Sequence, residues 1–223
     1  MTRRLATRAV FFDLDGTLAD TAEDLAAPIN AMRAERDMAP LPLHILRPFA
    51  SMGARGLIGR GLGVQREDPA FADVRDEFLR RYEAAMCVHT RLFPGMDRVL
   101  DRLEERGIVW GVVSNKFERY VRPILADLGV LARSRVAIGG DTTPFAKPHP
   151  EPLLAASRST GIEPECCVYV GDDLRDVQAG QAAGMKTIAA SYGFCGEATP
   201  PHEWGADFVI TTPVDLLTVL KLD

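Results

Sequence analysis

The sequence is short of lysine, and it contains no long apolar run. Only four of its 26 basic residues are lysines, so a lysine that follows a motif is informative. No apolar run approaches the roughly 18 residues that a membrane-spanning helix needs. The formal net charge of −5 argues against nucleic acid or an anionic membrane as the main partner. Neither nucleic acid nor a membrane is therefore the partner we expect.

Cysteine is also scarce, and its spacing does not indicate a metal site. There is no CxxC pair and no pair of histidines nearby, so we interpret the cysteines as reduced, buried thiols. After the arginine-rich residues 1–8, only residues 9–12 are apolar before acidic residues follow. That run is too short for the core of a signal peptide. We expect a soluble, cytoplasmic protein. The four cysteines are Cys87, Cys166, Cys167 and Cys195.

Short apolar runs alternate with helical patterns along most of the chain. Each of four helical patterns is followed within two residues by glycine, which is typical of helix ends. Continuous apolar strands between helices predict an α/β fold, a Rossmann-like doubly wound parallel sheet. The predicted strands are 9–12, 108–113, 136–138, 168–170, 187–190 and 208–210. The predicted helices are 96–105, 118–128, 150–160 and 174–183.

Residues 20–90 break this alternation, because they contain no convincing strand and several helical patterns. Two predicted helices are 57–63 and 71–88, and the run from Asp20 to Glu23 has the spacing of a helix-capping box. About 70 residues are too many for an ordinary connection after a strand. We predict a small all-helical cap domain at 20–90, with an α/β core domain formed by 1–19 and 91–223.

Polar clusters follow four of the predicted strands. Ligands of doubly wound sheets bind beyond the carboxyl ends of the strands, so these clusters predict one common site. Paired carboxylates, hydroxyl and ammonium donors and a second acidic group are what phosphoryl transfer with Mg²⁺ needs. The clusters are Asp13-Leu14-Asp15-Gly16-Thr17-Leu18, Ser114-Asn115-Lys116, Lys147-Pro148 and Gly171-Asp172-Asp173 with Asp176.

These four motifs in this order resemble those of the haloacid-dehalogenase-like superfamily of phosphatases. The helical insert after the first motif is similar to the C1 cap of that superfamily, and the resemblance covers essentially the whole chain. Within the superfamily, the chain looks like the phosphoglycolate phosphatases and like the bacterial phosphatases of N-acetylmuramic acid 6-phosphate. The motifs alone do not separate the two.

The resemblance implies a role for each matching residue. Asp13 would attack phosphorus and form an aspartyl-phosphate, and Asp15 would act as acid and then as base. Mg²⁺ would be held by Asp13, Asp172 and the backbone carbonyl of Asp15. The phosphoryl oxygens would be bound by Ser114, the Asn115 backbone and Lys147. Supporting roles would fall to Thr17, which would fix the loop or Asp15, to Asp173, which would reach the metal directly or through water, and to Asp176, which would orient Lys147 or a metal-bound water.

Three candidate residues, Lys116, Asp176 and Arg55, keep a second interpretation. Lys116 is either a surface residue at a helix start or part of the site. Asp176 could instead favour the dipole of its helix. In the cap, Gly53-Ala54-Arg55-Gly56 is interpreted as a flexible turn, from which Arg55 would pair with a substrate carboxylate. The alternative for Arg55 is a solvated loop arginine.

The resemblance leaves several activities to compare. A dehalogenase needs neither Asp15 nor the Asp172 cluster, and a phosphonate hydrolase needs a cap lysine that residues 20–90 lack. A hexose-phosphate mutase and a regulatory ligand-binding module both remain open. We expect a magnesium-dependent phosphomonoesterase acting on 2-phosphoglycolate, with N-acetylmuramic acid 6-phosphate as the alternative substrate. The sequence does not indicate the oligomeric state.

Overall fold

The computed structural model describes residues 7–223, and a six-stranded parallel sheet forms its centre. The order of its strands is β5-β4-β1-β6-β7-β8, and β2 pairs with β3 in a separate antiparallel ladder. The predicted α/β fold is therefore confirmed. The strands are β1 Ala9–Phe12, β2 Ala19–Asp20, β3 Arg91–Leu92, β4 Val109–Val113, β5 Ala137–Ile138, β6 Cys167–Gly171, β7 Lys186–Ala190 and β8 Phe208–Ile210.

Nine α-helices accompany these strands within residues 7–223. Those that follow β3 cover the two faces of the sheet, whereas α1 to α4 form a separate group between β2 and β3. No helix in this described part of the chain combines the length and hydropathy needed to cross a bilayer. The helices are α1 Ala22–Ala34, α2 Leu43–Leu46, α3 Gly53–Leu62, α4 Phe71–Ala84, α5 Met96–Glu105, α6 Glu118–Asp127, α7 Glu151–Thr160, α8 Leu174–Ala182 and α9 Asp215–Leu220.

Strand β1 is completely buried and packs on both of its faces. Val10 and Phe12 belong to the core cluster beneath α5 and α6. Ala9 and Phe11 belong to the opposite cluster beneath α7 and α8. This alternation follows from the two-residue period of a strand, and it explains why all four residues had to be apolar. Because β1 lies between β4 and β6, the ends of these three strands meet at one edge.

The helical segment, residues 20–90, supplies most of a separate apolar cluster, which also includes Tyr120 and Phe194. Ile29, Met32, Leu57 and Phe78 are almost fully buried within it. Its two connections to the sheet are paired as strands, with Ala19 opposite Leu92 and Asp20 opposite Arg91.

The predicted flexible turn at residues 53–56 is wrong, because these residues form the first turn of α3. The glycine at 56 serves close packing instead: a Cβ atom there would collide with the Met52 side chain and the Phe49 carbonyl oxygen. The neighbouring helix α4 is shorter than predicted, since it ends at Ala84.

The predicted capping box at the start of α1 is also wrong. Helix α1 begins at Ala22, and Thr21 occupies the N-cap position without a capping hydrogen bond from its side chain. The Asp20 carboxylate accepts a 3.3 Å hydrogen bond from the Ala22 amide, but it also forms an ion pair with Arg47 at 2.9 Å. The Thr21 hydroxyl donates to Asp15 at 2.6 Å.

Candidate active site

The loop after β1 places two carboxylates at the edge of the sheet. Asp13 follows directly on the strand, and its Oδ1 accepts a 2.7 Å hydrogen bond from the Leu14 amide. The chain then turns through Gly16, whose φ is +81°. A Cβ atom at Gly16 would collide with the carboxylate of Asp172, so the turn and the close approach both require glycine.

Lys147 reaches the same point from the loop after β5. Its ammonium group lies 3.0 Å from Asp13 Oδ2 and 2.7 Å from Asp176 Oδ1, and its side chain is only 2% exposed. It also donates to the Tyr169 hydroxyl and the Val113 carbonyl. Burial opposes the charge of Lys147, but the two carboxylates prevail and raise its pKa.

Three carboxylates form a tight cluster beside this ammonium group. Asp13, Asp172 and Asp176 each offer an oxygen atom, and these oxygens lie within 4.8 Å of one another. Burial, followed by the charges of Asp13 and Asp176, raises the pKa of Asp172 well above its usual range. Such a set of hard oxygen donors fits a divalent cation such as Mg²⁺, whose charge would relieve this repulsion.

Asp172 is held in place by two donors. The Thr17 hydroxyl donates to its Oδ1 at 2.8 Å, and the Phe194 amide donates to its Oδ2 at 2.8 Å. We expected the Thr17 hydroxyl to fix either the loop or Asp15. In the structure it instead holds Asp172.

Asp173 turns away from the carboxylate cluster. It caps α8 through the Arg175 amide, and its carboxylate also pairs with the Arg175 guanidinium at 2.7 Å. Although burial opposes the charge, Arg175 lowers the pKa of Asp173. Its reciprocal partner is Asp176, whose Oδ2 accepts from the Asp173 amide at 3.0 Å. Direct contact between Asp173 and a metal is thus not favoured. Asp176 both takes part in the capping box of α8 and contacts Lys147.

Asp15 lies on the side of the site that faces the helical segment. Its Oδ1 accepts from Thr21, and both of its carboxylate oxygens lie 3.0 Å from the Lys116 ammonium group. Lys116 is 7% exposed, so the surface interpretation of this lysine is wrong. Burial alone would lower the pKa of Lys116, but the nearby Asp15 carboxylate raises it.

The two predicted phosphate-binding residues after β4 are both at the site. Ser114 is buried, and its hydroxyl accepts a 3.3 Å hydrogen bond from the Lys116 amide. The Asn115 side chain bonds both the amide and the carbonyl of Lys147, each at 2.9 Å. The side chain of Asn115 therefore fixes the loop that carries Lys147, a role the sequence did not indicate.

A cavity of about 390 Å³ opens above these residues. Its floor holds the polar groups of the sheet edge, and its far wall is the largely apolar side of the helical segment. The wall residues from that segment include Ala54, Arg75, Phe78, Leu79 and Tyr82.

The structure does not bring Arg55 to this cavity. Arg55 is exposed on α3 and lines a separate groove together with Gln65 and Arg66, because the first helical turn points its side chain away. The arginines that do line the cavity are Arg75 from α4 and Arg175 from α8.

Comparison with known proteins agrees with this geometry. Residues 10–190 match the family model described as haloacid dehalogenase-like hydrolase, and the chain belongs to this family. It is 40% identical to the N-acetylmuramic acid 6-phosphate phosphatase of Pseudomonas aeruginosa, covering 98% of this chain and 96% of that protein. It is 44% identical to the phosphoglycolate phosphatase of Xanthomonas campestris pv. campestris, covering 94% of each.

Solved structures show the same fold over nearly the whole chain. CbbY from Rhodobacter sphaeroides, in complex with phosphate, superposes with a TM-score of 0.76 at 26% identity, covering 96% of this chain and 99% of that one. A predicted phosphoglycolate phosphatase from Haemophilus somnus 129pt gives a TM-score of 0.84 at 26% identity, covering 98% and 99%. Family and relatives together define the chain as a phosphatase, a phosphoric monoester hydrolase.

Proposed function

We propose that this phosphatase works through an aspartyl-phosphate on Asp13. The observation that carries the proposal is the position of Asp13, which lies 3.0 Å from the Lys147 ammonium group and within 4.8 Å of carboxylate oxygens of Asp172 and Asp176. A phosphate bound here would meet one nucleophile and one buried cation. Asp15, two residues later and on the other side of the loop, would face the leaving group.

The proposed cation is Mg²⁺, held by Asp13, Asp172 and the backbone carbonyl of Asp15, with Asp176 close enough to bind it directly or through water. Bound there, Mg²⁺ would neutralise part of the negative charge that the phosphate and the carboxylates bring together. The hydroxyl of Ser114, the Asn115 amide and Lys147 would bind the phosphoryl oxygens.

The reaction then has two steps. An Asp13 oxygen forms a bond to phosphorus while the bond to the leaving oxygen breaks, and the proton of the Asp15 carboxyl group moves to that oxygen. Next, Asp15 takes a proton from water as the water oxygen bonds to phosphorus. The bond between phosphorus and Asp13 breaks, which releases inorganic phosphate and restores the carboxylate.

The cavity favours a substrate larger than 2-phosphoglycolate. A volume of about 390 Å³ with an apolar wall is in the range that binds ligands of several functional groups. N-acetylmuramic acid 6-phosphate carries an acetyl group, a lactyl ether and a carboxylate, which would use this wall and its cations. We therefore propose N-acetylmuramic acid 6-phosphate as the substrate.

2-Phosphoglycolate, the first expectation from the sequence, is the second candidate. Its support is the 44% identity to a phosphatase that carries this name. We also propose that residues 20–90 act as a cap above the core formed by 1–19 and 91–223. The proposed location is the cytoplasm. The location rests on the sequence alone.

The test is phosphate release from both compounds in parallel, with Mg²⁺ and with EDTA. We expect a higher kcat/KM for N-acetylmuramic acid 6-phosphate, loss of turnover in EDTA, and no turnover by Asp13→Asn. A clear preference for 2-phosphoglycolate would refute the substrate, and substantial activity of Asp13→Asn would refute the covalent mechanism.

A further inference from the structure

Lys116 contacts both carboxylate oxygens of the proposed acid–base group. Its ammonium group lies 3.0 Å from each carboxylate oxygen of Asp15, and only 7% of its side chain is exposed. The backbone also restrains it, because the Lys116 amide donates to the Ser114 hydroxyl. A long, flexible side chain loses much freedom in such a position, which is unusual for a lysine without a role in the site.

Thr21 and Lys116 together fix the orientation of the Asp15 carboxyl group. Within residues 7–223, the side-chain donors to Asp15 are Thr21 and Lys116, and the Thr21 hydroxyl bonds Oδ1 alone. Rotation of the carboxyl group about the Thr21 contact is therefore opposed by the Lys116 ammonium group at Oδ2. Without it, the oxygen that must reach the leaving group would have no fixed direction.

Lys116 is in turn held by the helical segment. Its ammonium group lies over the ring of Tyr82, 4.7 Å from the ring centroid, a distance typical of a cation–π contact. Tyr82 is 2% exposed, and its ring stacks on Phe78 and meets Tyr120 edge-on. Tyr82 thus forms a rigid surface, contributed by α4, beneath a lysine contributed by the sheet.

We propose that Lys116 is a positioning residue for Asp15, and that Tyr82 connects it to the helical segment. Lys116 fixes the carboxyl group that exchanges a proton with the leaving oxygen, and the ring of Tyr82 fixes Lys116. The inference rests on the proposed function of Asp15. It adds that the position of the helical segment above the sheet controls the acid–base group through one side chain.

The test uses the dependence of the rate on the leaving group. A sugar or glycolate oxygen needs a proton to leave, whereas p-nitrophenolate leaves without one. General acid catalysis contributes roughly 10² to 10⁴ in rate, so we expect Lys116→Met to slow the first turnover of the alkyl phosphate about 100-fold. The third substrate is p-nitrophenyl phosphate, and its release of p-nitrophenolate is followed by rapid mixing. This rate should fall by less than about fivefold, since a general acid contributes little to the departure of p-nitrophenolate.

A double-mutant cycle then separates positioning from a merely structural role. If Lys116 acts through Asp15, Lys116→Met should cause no further loss in an Asp15→Asn background. Tyr82→Leu should give a smaller loss with the same leaving-group dependence, and Tyr82→Phe, which keeps the ring, should lose less than Tyr82→Leu. Lys186→Met, at an exposed position, is the matched control.

Each outcome bears on one idea. Equal losses for both kinds of substrate, or additive losses with Asp15→Asn, would overturn the positioning role of Lys116. An unaffected Tyr82→Leu would overturn the connection to the helical segment. If the wild-type enzyme releases phosphate from none of the three compounds, the proposed function itself fails, which is a different result.

Discussion

Replacement of Lys147 should destabilise the protein far more than the loss of one surface charge. Lys147→Met keeps an unbranched apolar stem of similar length. It removes an ammonium group that is bonded to two carboxylates, a tyrosine hydroxyl and a backbone carbonyl. Breaking a buried ion pair by removing one partner costs about 3–5 kcal/mol.

The remaining carboxylates set the scale of this cost. The carboxylate oxygens lie within 4.8 Å of one another, and two unit charges at that distance repel by about 3.5 kcal/mol at an effective dielectric constant of about 20. Protonation of one carboxyl group would limit the penalty. We therefore expect the free energy of unfolding in EDTA to fall by about 3–5 kcal/mol, together with loss of phosphatase activity.

Urea denaturation followed by circular dichroism measures this change. Mg²⁺ should restore stability, by about 2.7 kcal/mol at a concentration one hundred times its Kd. At one fixed Mg²⁺ concentration the gain should exceed that of the wild-type protein, because the uncompensated carboxylates of the variant should bind the ion with a lower Kd. Lys186→Met is the control, with an expected change within about 0.5 kcal/mol. A loss below about 1 kcal/mol for Lys147→Met would mean that its ammonium group does not compensate the carboxylates as argued from the buried ion pair.

Two further variants test the loop and the cavity wall. Gly16→Ala would place a Cβ atom against the Asp172 carboxylate at a positive φ. We expect kcat/KM to fall roughly 100-fold, as for a misplacement of about 1 Å. Near-normal activity would contradict the close approach of Gly16 to Asp172. Arg75→Ala should raise the KM of a carboxylated substrate about three- to tenfold, because an exposed charge-assisted contact contributes about that factor to binding. Arg55→Ala, outside the cavity, should leave the KM unchanged, and the reverse pattern would restore the original expectation for Arg55.

The sheet was largely predictable because its chemistry is local. A parallel strand buried on both faces must be a continuous apolar run, and 9–12 agrees with β1 residue for residue. The run 208–210 also matches β8, although Phe208 and Val209 on this edge strand are exposed. Helices with a terminal glycine were predicted almost as well, since α5 matches 96–105. In these elements, neighbouring residues contain most of the information that determines the structure.

The errors concern side chains whose partners are distant in the sequence. Asp20 could not be recognised as the partner of Arg47, 27 residues away, and so a capping box was expected. Lys116 reaches Asp15 across 101 residues, because the strands before them are neighbours in the sheet. The scarcity of lysine was the only signal that could have identified this contact. For Arg55, the direction of the side chain depended on where α3 begins.

The ladder of β2 and β3 has a consequence for how such enzymes diversify. The chain leaves the sheet and returns to it through two adjacent, hydrogen-bonded residues, Ala19 beside Leu92. The distance between departure and return is thus fixed by the ladder and does not depend on what lies between. The entropy of closing a loop grows only slowly with its length. Evolution could therefore lengthen, shorten or exchange residues 21–90 while the catalytic strands keep their register, so that recognition changes and chemistry is inherited.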